Sequence, residues 1–156
     1  MPTPVAPFRP GIDHIGISVG AVIWDGGGKV LLAQRGAGAK NQNGLWENPG
    51  GAVNLGETLS EAIKREVREE LGVEIEIVRP LRFADHLLPD EGQHWVAVTY
   101  LARITHGEPS LMEPDKCTAL RWYDLEALPP AEAMSPLSLG DLECLASQLG
   151  MESHLR

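Results

Sequence analysis

The 156-residue chain has little cysteine, few aromatic residues and no long apolar run. Its two cysteines, Cys117 and Cys144, are too few and too isolated for a disulfide scaffold or a zinc site, so we expect two reduced thiols. No run approaches the roughly 20 apolar residues that a membrane-spanning helix needs. The N-terminus also lacks the charged start and apolar core of a signal peptide. These absences predict a cytoplasmic protein without a membrane partner.

Basic residues are in the minority as well. The chain has 13 Lys and Arg against 22 Asp and Glu, which gives a formal net charge of -9. Such a surface repels polyanions, so we expect no nucleic acid polymer as a partner. A small phosphorylated ligand is compatible with this charge when divalent cations neutralise the carboxylates around it.

The composition, with 43% hydrophobic and 22% charged residues, is that of an ordinary globular protein. We predict an extended, proline-rich lead-in over residues 1–12 and a single domain over 13–150. Alternating apolar residues predict a strand before the turn at 25–28 and a returning strand at 29–35. A last helix is predicted over 139–149. Strands on both sides of helices predict an α/β or α+β fold with a mixed sheet between helices.

One helix is strongly marked between Thr58 and Leu71. This segment has no Gly or Pro, and Gly72 follows where a C-terminal cap glycine belongs. An apolar stripe recurs every four residues. Its members are Leu59, Ile63, Val67 and Leu71.

The same helix carries three glutamates on one face. Glu66, Glu69 and Glu70 lie three and four positions apart, so their carboxylates repel one another unless a cation lies among them. A hard divalent cation requires several oxygen ligands at short range. The alternative is a solvated, charged helix face. The preceding loop favours the cation, because Gly51 allows close approach of the backbone and Glu57 adds another carboxylate.

These residues follow the pattern G-x5-E-x7-R-E-U-x-E-E-x-G-U, in which U is aliphatic, and they resemble the Nudix hydrolase family. The segment 45–51 also resembles the W-x-x-P-G-G sequence that precedes the pattern in this family. The likeness covers roughly residues 15–130. The matching positions are Gly51, Glu57, Arg65, Glu66, Val67, Glu69, Glu70, Gly72 and Val73.

The resemblance implies an α/β/α sandwich with a central mixed sheet, and hydrolysis of a diphosphate bond in a nucleoside diphosphate linked to another group. It implies Mg2+ as cofactor, with Mn2+ as a substitute. The implied metal ligands are the carbonyl of Gly51 and the carboxylates of Glu66, Glu69 and Glu70. Glu57 and Arg65 resemble a supporting pair of the catalytic site, to which Glu66 and Glu69 also belong.

Four residues outside the pattern are further candidates. Glu113 resembles the acid that serves in family members as an additional metal ligand or as the catalytic base; otherwise it is a surface acid. Arg35 and Lys40 are candidates for contacts with substrate phosphates, and otherwise are solvated cations. Asn48 is either an amide that reads the nucleobase or a residue suited to a turn.

The substrate is less defined than the reaction. Segments 111–117 and 121–125 resemble the MutT-like branch, which hydrolyses nucleoside triphosphates, including damaged ones, to the monophosphate and pyrophosphate. The alternative enzyme is an ADP-ribose or nucleotide-sugar pyrophosphatase. Pro89 resembles a marker of ADP-ribose hydrolases, although it also fits a turn. A non-catalytic, nucleotide-sensing domain is the alternative of another class. The family often forms homodimers, so we also expect a homodimer.

Overall fold

The computed structural model describes residues 1–3, 6–39 and 42–151. Strands lie on both sides of the first helix, and a second helix follows near the end of these ranges, as the sequence predicts. The elements are β1 (Gly16–Ile23), β2 (Lys29–Arg35), β3 (Trp46–Glu47), β4 (Gly50–Ala52), α1 (Leu59–Leu71), β5 (Glu74–Leu88), β6 (Gln93–His106), β7 (Cys117–Asp124) and α2 (Pro136–Gln148).

The central sheet is mixed, as predicted. It has the strand order β4-β1-β6-β5, in which β1 and β6 run parallel and the other neighbours are antiparallel. A second sheet, with the order β3-β2-β7, is antiparallel throughout. β3 is an edge strand of the second sheet, and β4 is an edge strand of the central sheet. The segment that leads into α1 therefore passes from the second sheet to the central sheet.

Each helix covers one side of the sheets. Alternate residues of a strand point to opposite faces, and β1 divides its side chains accordingly. Val19 and Ile23 pack in a core with α1, whereas Val22 packs in a second core with α2. This arrangement confirms the predicted α/β/α sandwich. Within the described ranges, no helix is both long enough and apolar enough to cross a membrane.

Two details of the predicted elements are wrong. The returning strand β2 does not form a hairpin with β1; one isolated bridge joins Trp24 to Val30. Both edges of β1 are occupied by β4 and β6, so β2 pairs with β3 and β7 instead. The last helix begins at Pro136 rather than at 139, because Ser135 caps it and proline suits the first helical position.

The start of α1 is fixed by a reciprocal cap. The Thr58 hydroxyl accepts a hydrogen bond from the Glu61 backbone N–H at 3.2 Å, and the Glu61 carboxylate accepts one from the Thr58 N–H at 2.9 Å. Gly72 ends the helix with a φ of 69°, a left-handed conformation that glycine adopts without strain. Both ends of the glutamate-bearing helix are therefore set by local sequence.

Replacing Thr58 by alanine removes the side-chain acceptor of this cap. We expect Thr58→Ala to lower the free energy of unfolding by about 1 kcal/mol, measured by urea denaturation. The matched control is Thr58→Ser, which keeps the hydroxyl and should stay close to the wild type. Equal stability of all three proteins would contradict this account of the cap.

Candidate active site

Gly51 brings the backbone of β4 against Glu66, the first glutamate of the metal-ligand set on α1. A Cβ atom at position 51 would collide with the carboxylate of Glu66. The Glu66 side chain is only 15% exposed, so it has little room to move away. The glycine is therefore required for the close approach of this carboxylate to the backbone.

Arg65 connects three of the predicted carboxylates. Its guanidinium donates two hydrogen bonds to Glu57, at 2.6 and 2.9 Å, in a bidentate pair. It also donates to Glu66 at 2.9 Å and to Glu69 at 3.2 Å. A fifth bond, of 3.0 Å, reaches the carbonyl of Ala52. One planar cation thus fixes the loop and two helical carboxylates relative to one another.

The carboxylates of this region differ in how strongly they hold protons. The hydrogen bonds from Arg65 lower the pKa of Glu57 from 4.5 to about 2. Burial, followed by repulsion from Glu66 and Glu47, raises the pKa of Glu70 well above its usual value. Burial also raises the pKa of Glu66, although Arg65 opposes this effect. Positive charge from the protein thus compensates the negative charge at Glu57 but not at Glu70.

Glu113 lies beside these glutamates although it is distant in sequence. Backbone N–H groups of its loop bond to the C-terminal end of α1, with Met112 donating to the Glu70 carbonyl at 3.0 Å. The Glu113 carboxylate forms an ion pair of 3.0 Å with Lys116. The loop is therefore attached to the end of α1 that carries Glu70.

A cavity of about 490 Å³ brings most of the predicted residues together. Its lining includes Arg35, Asn48, Gly51, Glu66, Glu70 and Glu113. Glu57, Arg65 and Glu69 do not line it; they form the hydrogen-bonded group behind Glu66. Lys40 lies outside the described residues.

Sequence reasoning missed three charged residues that line the same cavity. Glu47 forms an ion pair of 2.7 Å with Arg35, and its position within the W-x-x-P-G-G segment was the signal available. Lys116 pairs with Glu113. Asp141 on α2 contacts Asn48. No sequence signal could have identified this contact, because the two residues are 93 positions apart.

The donors at the glutamate end suit a divalent cation in chemistry and charge. Glu66, Glu70 and Glu113 provide hard carboxylate oxygens, which Mg2+ prefers. Among residues 1–3, 6–39 and 42–151, however, no three His, Cys, Asp or Glu side chains are so arranged that they could hold a metal ion.

Comparison with known proteins decides the family. The sequence profile of the NUDIX domain matches residues 14–139. The chain belongs to the Nudix hydrolase family. Its members are hydrolases that act on phosphoanhydride bonds, and they generally use divalent metals.

Individual Nudix relatives agree with this assignment. The 8-oxo-dGDP phosphatase NUDT18 of Danio rerio is 33% identical over 126 residues, which cover 79% of the chain and 36% of that protein. CTP pyrophosphohydrolase of Escherichia coli is 52% identical over 58 residues, which cover 37% of the chain and 42% of that enzyme. The chain thus matches well under half the length of these two relatives.

A solved structure agrees as well. The crystal structure of a MutT NUDIX hydrolase from Burkholderia pseudomallei aligns with a TM-score of 0.78 and 36% identity, over 85% of the chain and 98% of that protein. The chain is therefore similar to a MutT-like Nudix hydrolase in both sequence and fold.

The lowered pKa of Glu57 predicts how its ion pair responds to acid. Because the pKa falls from 4.5 to about 2 on folding, the stabilisation is complete above pH 4.5 and is lost as the pH falls towards 2. We therefore expect the difference in Tm between the wild type and Glu57→Gln to be constant above pH 4.5 and to shrink below it.

Circular dichroism melts between pH 2 and 7 measure this difference. The control is Glu132→Gln, which replaces an exposed glutamate far along the chain. A Tm difference for Glu57→Gln that does not change with pH would show that the Arg65 pair contributes nothing to stability.

Proposed function

We propose that the chain is a Mg2+-dependent hydrolase, with Mn2+ as a substitute, that cuts a nucleoside triphosphate into the monophosphate and pyrophosphate. The observation that carries the proposal is the charge arrangement of one cavity. The carboxylates of Glu66, Glu70 and Glu113 line it together with the cationic side chain of Arg35. Such a cavity suits a polyphosphate whose negative charge is neutralised partly by bound cations and partly by a basic side chain.

The glutamates and the backbone of Gly51 would hold the divalent ion. When bound, this ion neutralises charge on the phosphate oxygens and activates water as a nucleophile. Arg65 keeps the carboxylates of Glu66 and Glu69 in orientation, because it bonds to both of them. Glu57 in turn fixes the guanidinium of Arg65 with two hydrogen bonds.

Glu113 is the proposed base. Its carboxylate accepts the proton of the attacking water, and the ion pair with Lys116 holds that carboxylate at the edge of the cavity. Arg35, oriented by Glu47, contacts the phosphates of the substrate, and Lys40 is the second proposed phosphate contact.

Two relatives support a nucleotide substrate of the type that MutT-like enzymes hydrolyse. One relative is a CTP pyrophosphohydrolase, and another is an 8-oxo-dGDP phosphatase, which favours the removal of damaged nucleotides as a role. Pro89, the marker for ADP-ribose hydrolysis, starts a 3-10 helix at the β5–β6 turn, so a structural role accounts for it. A non-catalytic nucleotide sensor does not need the complete set of glutamates of the pattern, so their presence favours an enzyme.

The direct test is a turnover screen of the purified chain with Mg2+ and, as a control, with EDTA. The substrates are the NTPs and dNTPs, 8-oxo-dGTP, 8-oxo-dGDP, ADP-ribose, dinucleoside polyphosphates and coenzyme A. We expect a triphosphate to be preferred, with a monophosphate and pyrophosphate as products. Preference for ADP-ribose would overturn the substrate proposal, and hydrolysis that persists in EDTA would overturn the metal dependence.

The kinetic parameters of two variants separate the proposed base from the proposed ligands. We expect Glu113→Gln to lower kcat by about 100-fold or more and to change KM by less than about threefold. Glu70→Gln should instead raise the Mg2+ concentration needed for half-maximal rate, since a charged oxygen ligand is lost. Glu132→Gln is the matched control. An unchanged kcat for Glu113→Gln would leave Glu113 as a surface acid.

A further inference from the structure

The cavity has a second polar region, separate from its glutamates. Five polar or charged residues of the described chain are buried, and every one of them lines this cavity. They come from the segment after β3, from β6 and from the start of α2. We call them the polar wall; they are Asn48, Thr99, Ser135, Ser138 and Asp141.

Asp141 is the centre of the polar wall. It is 2% exposed, and its carboxylate accepts hydrogen bonds from Arg82 at 2.8 Å and from the Thr99 hydroxyl at 2.9 Å. The Asn48 side-chain nitrogen donates to the same carboxylate at 3.5 Å. The Asn48 backbone N–H also donates, to the Ser138 hydroxyl at 3.0 Å. The backbone and the side chain of Asn48 are thus both held by α2.

This arrangement determines which way the Asn48 amide is turned. A carboxylate paired with arginine only accepts hydrogen bonds, so the amide nitrogen has to face Asp141 and the amide oxygen has to face away. That oxygen, Asn48 Oδ1, is buried and has no hydrogen-bond partner among the described residues. Buried acceptors are nearly always paired in folded proteins. The exception at Asn48 Oδ1 is explained if this atom accepts a hydrogen bond only when a ligand is bound.

His86 Nε2 is also buried without a partner, and His86 lines the cavity too. This nitrogen donates or accepts according to the tautomer, whereas Asn48 Oδ1 can only accept. The unmet capacity of the polar wall itself is therefore that of an acceptor, which requires a hydrogen-bond donor on the ligand; on a nucleobase, that donor is an N–H group.

The position of the polar wall matches the base end of a nucleotide. Asn48 precedes Gly51 by three residues, which span at most about 10 Å of extended chain. The glutamate end of the cavity begins at Gly51, where Glu66 packs against the backbone. A ligand whose phosphates lie at the glutamates therefore places its base near Asn48.

We propose that the polar wall reads the nucleobase and that Asn48 Oδ1 accepts a hydrogen bond from an exocyclic amino group of the base. This inference rests on the nucleotide hydrolysis proposed above. Asp141 is the positioning residue, because it fixes the orientation of the Asn48 amide. Bases with an oxo group at the same position bring oxygen against oxygen and bind more weakly. The substrate class is thus an amino-bearing nucleotide, such as one of cytosine or adenine.

Binding of the proposed products tests this inference without turnover. Isothermal titration calorimetry of the wild type, with Mg2+ present, compares CMP with UMP, AMP with IMP, and each with ribose 5-phosphate. One of the two pairs has the ring that fits the cavity. Within that pair, we expect the amino form to bind at least about 10-fold more tightly than the oxo form. Equal binding within both pairs, or binding no tighter than that of ribose 5-phosphate, would overturn the proposal.

A near-isosteric variant assigns the preference to Asn48. In Asn48→Leu the amino-over-oxo preference should be lost, whereas binding of ribose 5-phosphate should not change. The control is Asn54→Leu, which replaces an exposed asparagine of the loop before α1 and should keep the preference. An Asn48→Leu variant that folds and keeps the preference would overturn the role of Asn48.

The outcomes distinguish this proposal from the catalytic one. If the wild type prefers amino-bearing monophosphates but hydrolyses no triphosphate, base reading stands and the proposed reaction fails. If it hydrolyses triphosphates without distinguishing CTP from UTP or ATP from ITP, the reaction stands and base reading fails. The wild-type comparison decides the matter even if Asn48→Leu does not fold.

Discussion

The site depends on the confinement of several carboxylates in a small space with too little positive charge from the protein. Arg65 compensates Glu57 and part of the charge of Glu66 and Glu69. Glu70 lies beyond its reach, buried near Glu66 and Glu47. Because repulsion of this kind costs free energy, a cation that binds there is stabilised by the same arrangement. The fold maintains the crowding through a capped helix on one side and Gly51 on the other.

The cavity has two chemically different ends, between which the proposed function divides the recognition of a nucleotide. Negative charge gathers at the glutamates, which suits phosphates only when cations bind there as well. The polar wall is built from hydrogen bonds around Asp141, whose charge is met by Arg82. In the proposed function, phosphate binding thus depends on metal, and base binding depends on the orientation of the Asn48 amide. This separation explains how a chain with a net charge of -9 can take an anionic substrate.

The sequence allowed α1 and its glutamates to be predicted because their causes are local. The apolar stripe runs along the helix, and the Thr58 cap and Gly72 lie at its two ends. The pairing of β2 could not be predicted, because it depends on which strands already occupy the edges of β1. The contact between Asn48 and Asp141 likewise arises only when α2 packs beside β3. Glu113 could be proposed from family resemblance, but its attachment to the end of α1 is visible only in the fold.

A crystal structure with Mn2+ and a non-hydrolysable nucleoside triphosphate tests the central claim most directly, because Mn2+ is located by its anomalous scattering. The account predicts a peak among the carboxylates of Glu66 and Glu70 and the carbonyl of Gly51, with phosphate oxygens of the nucleotide also bound to the ion. A nucleotide bound in the cavity with no ion at the glutamates, or with these side chains turned into solvent, would contradict it.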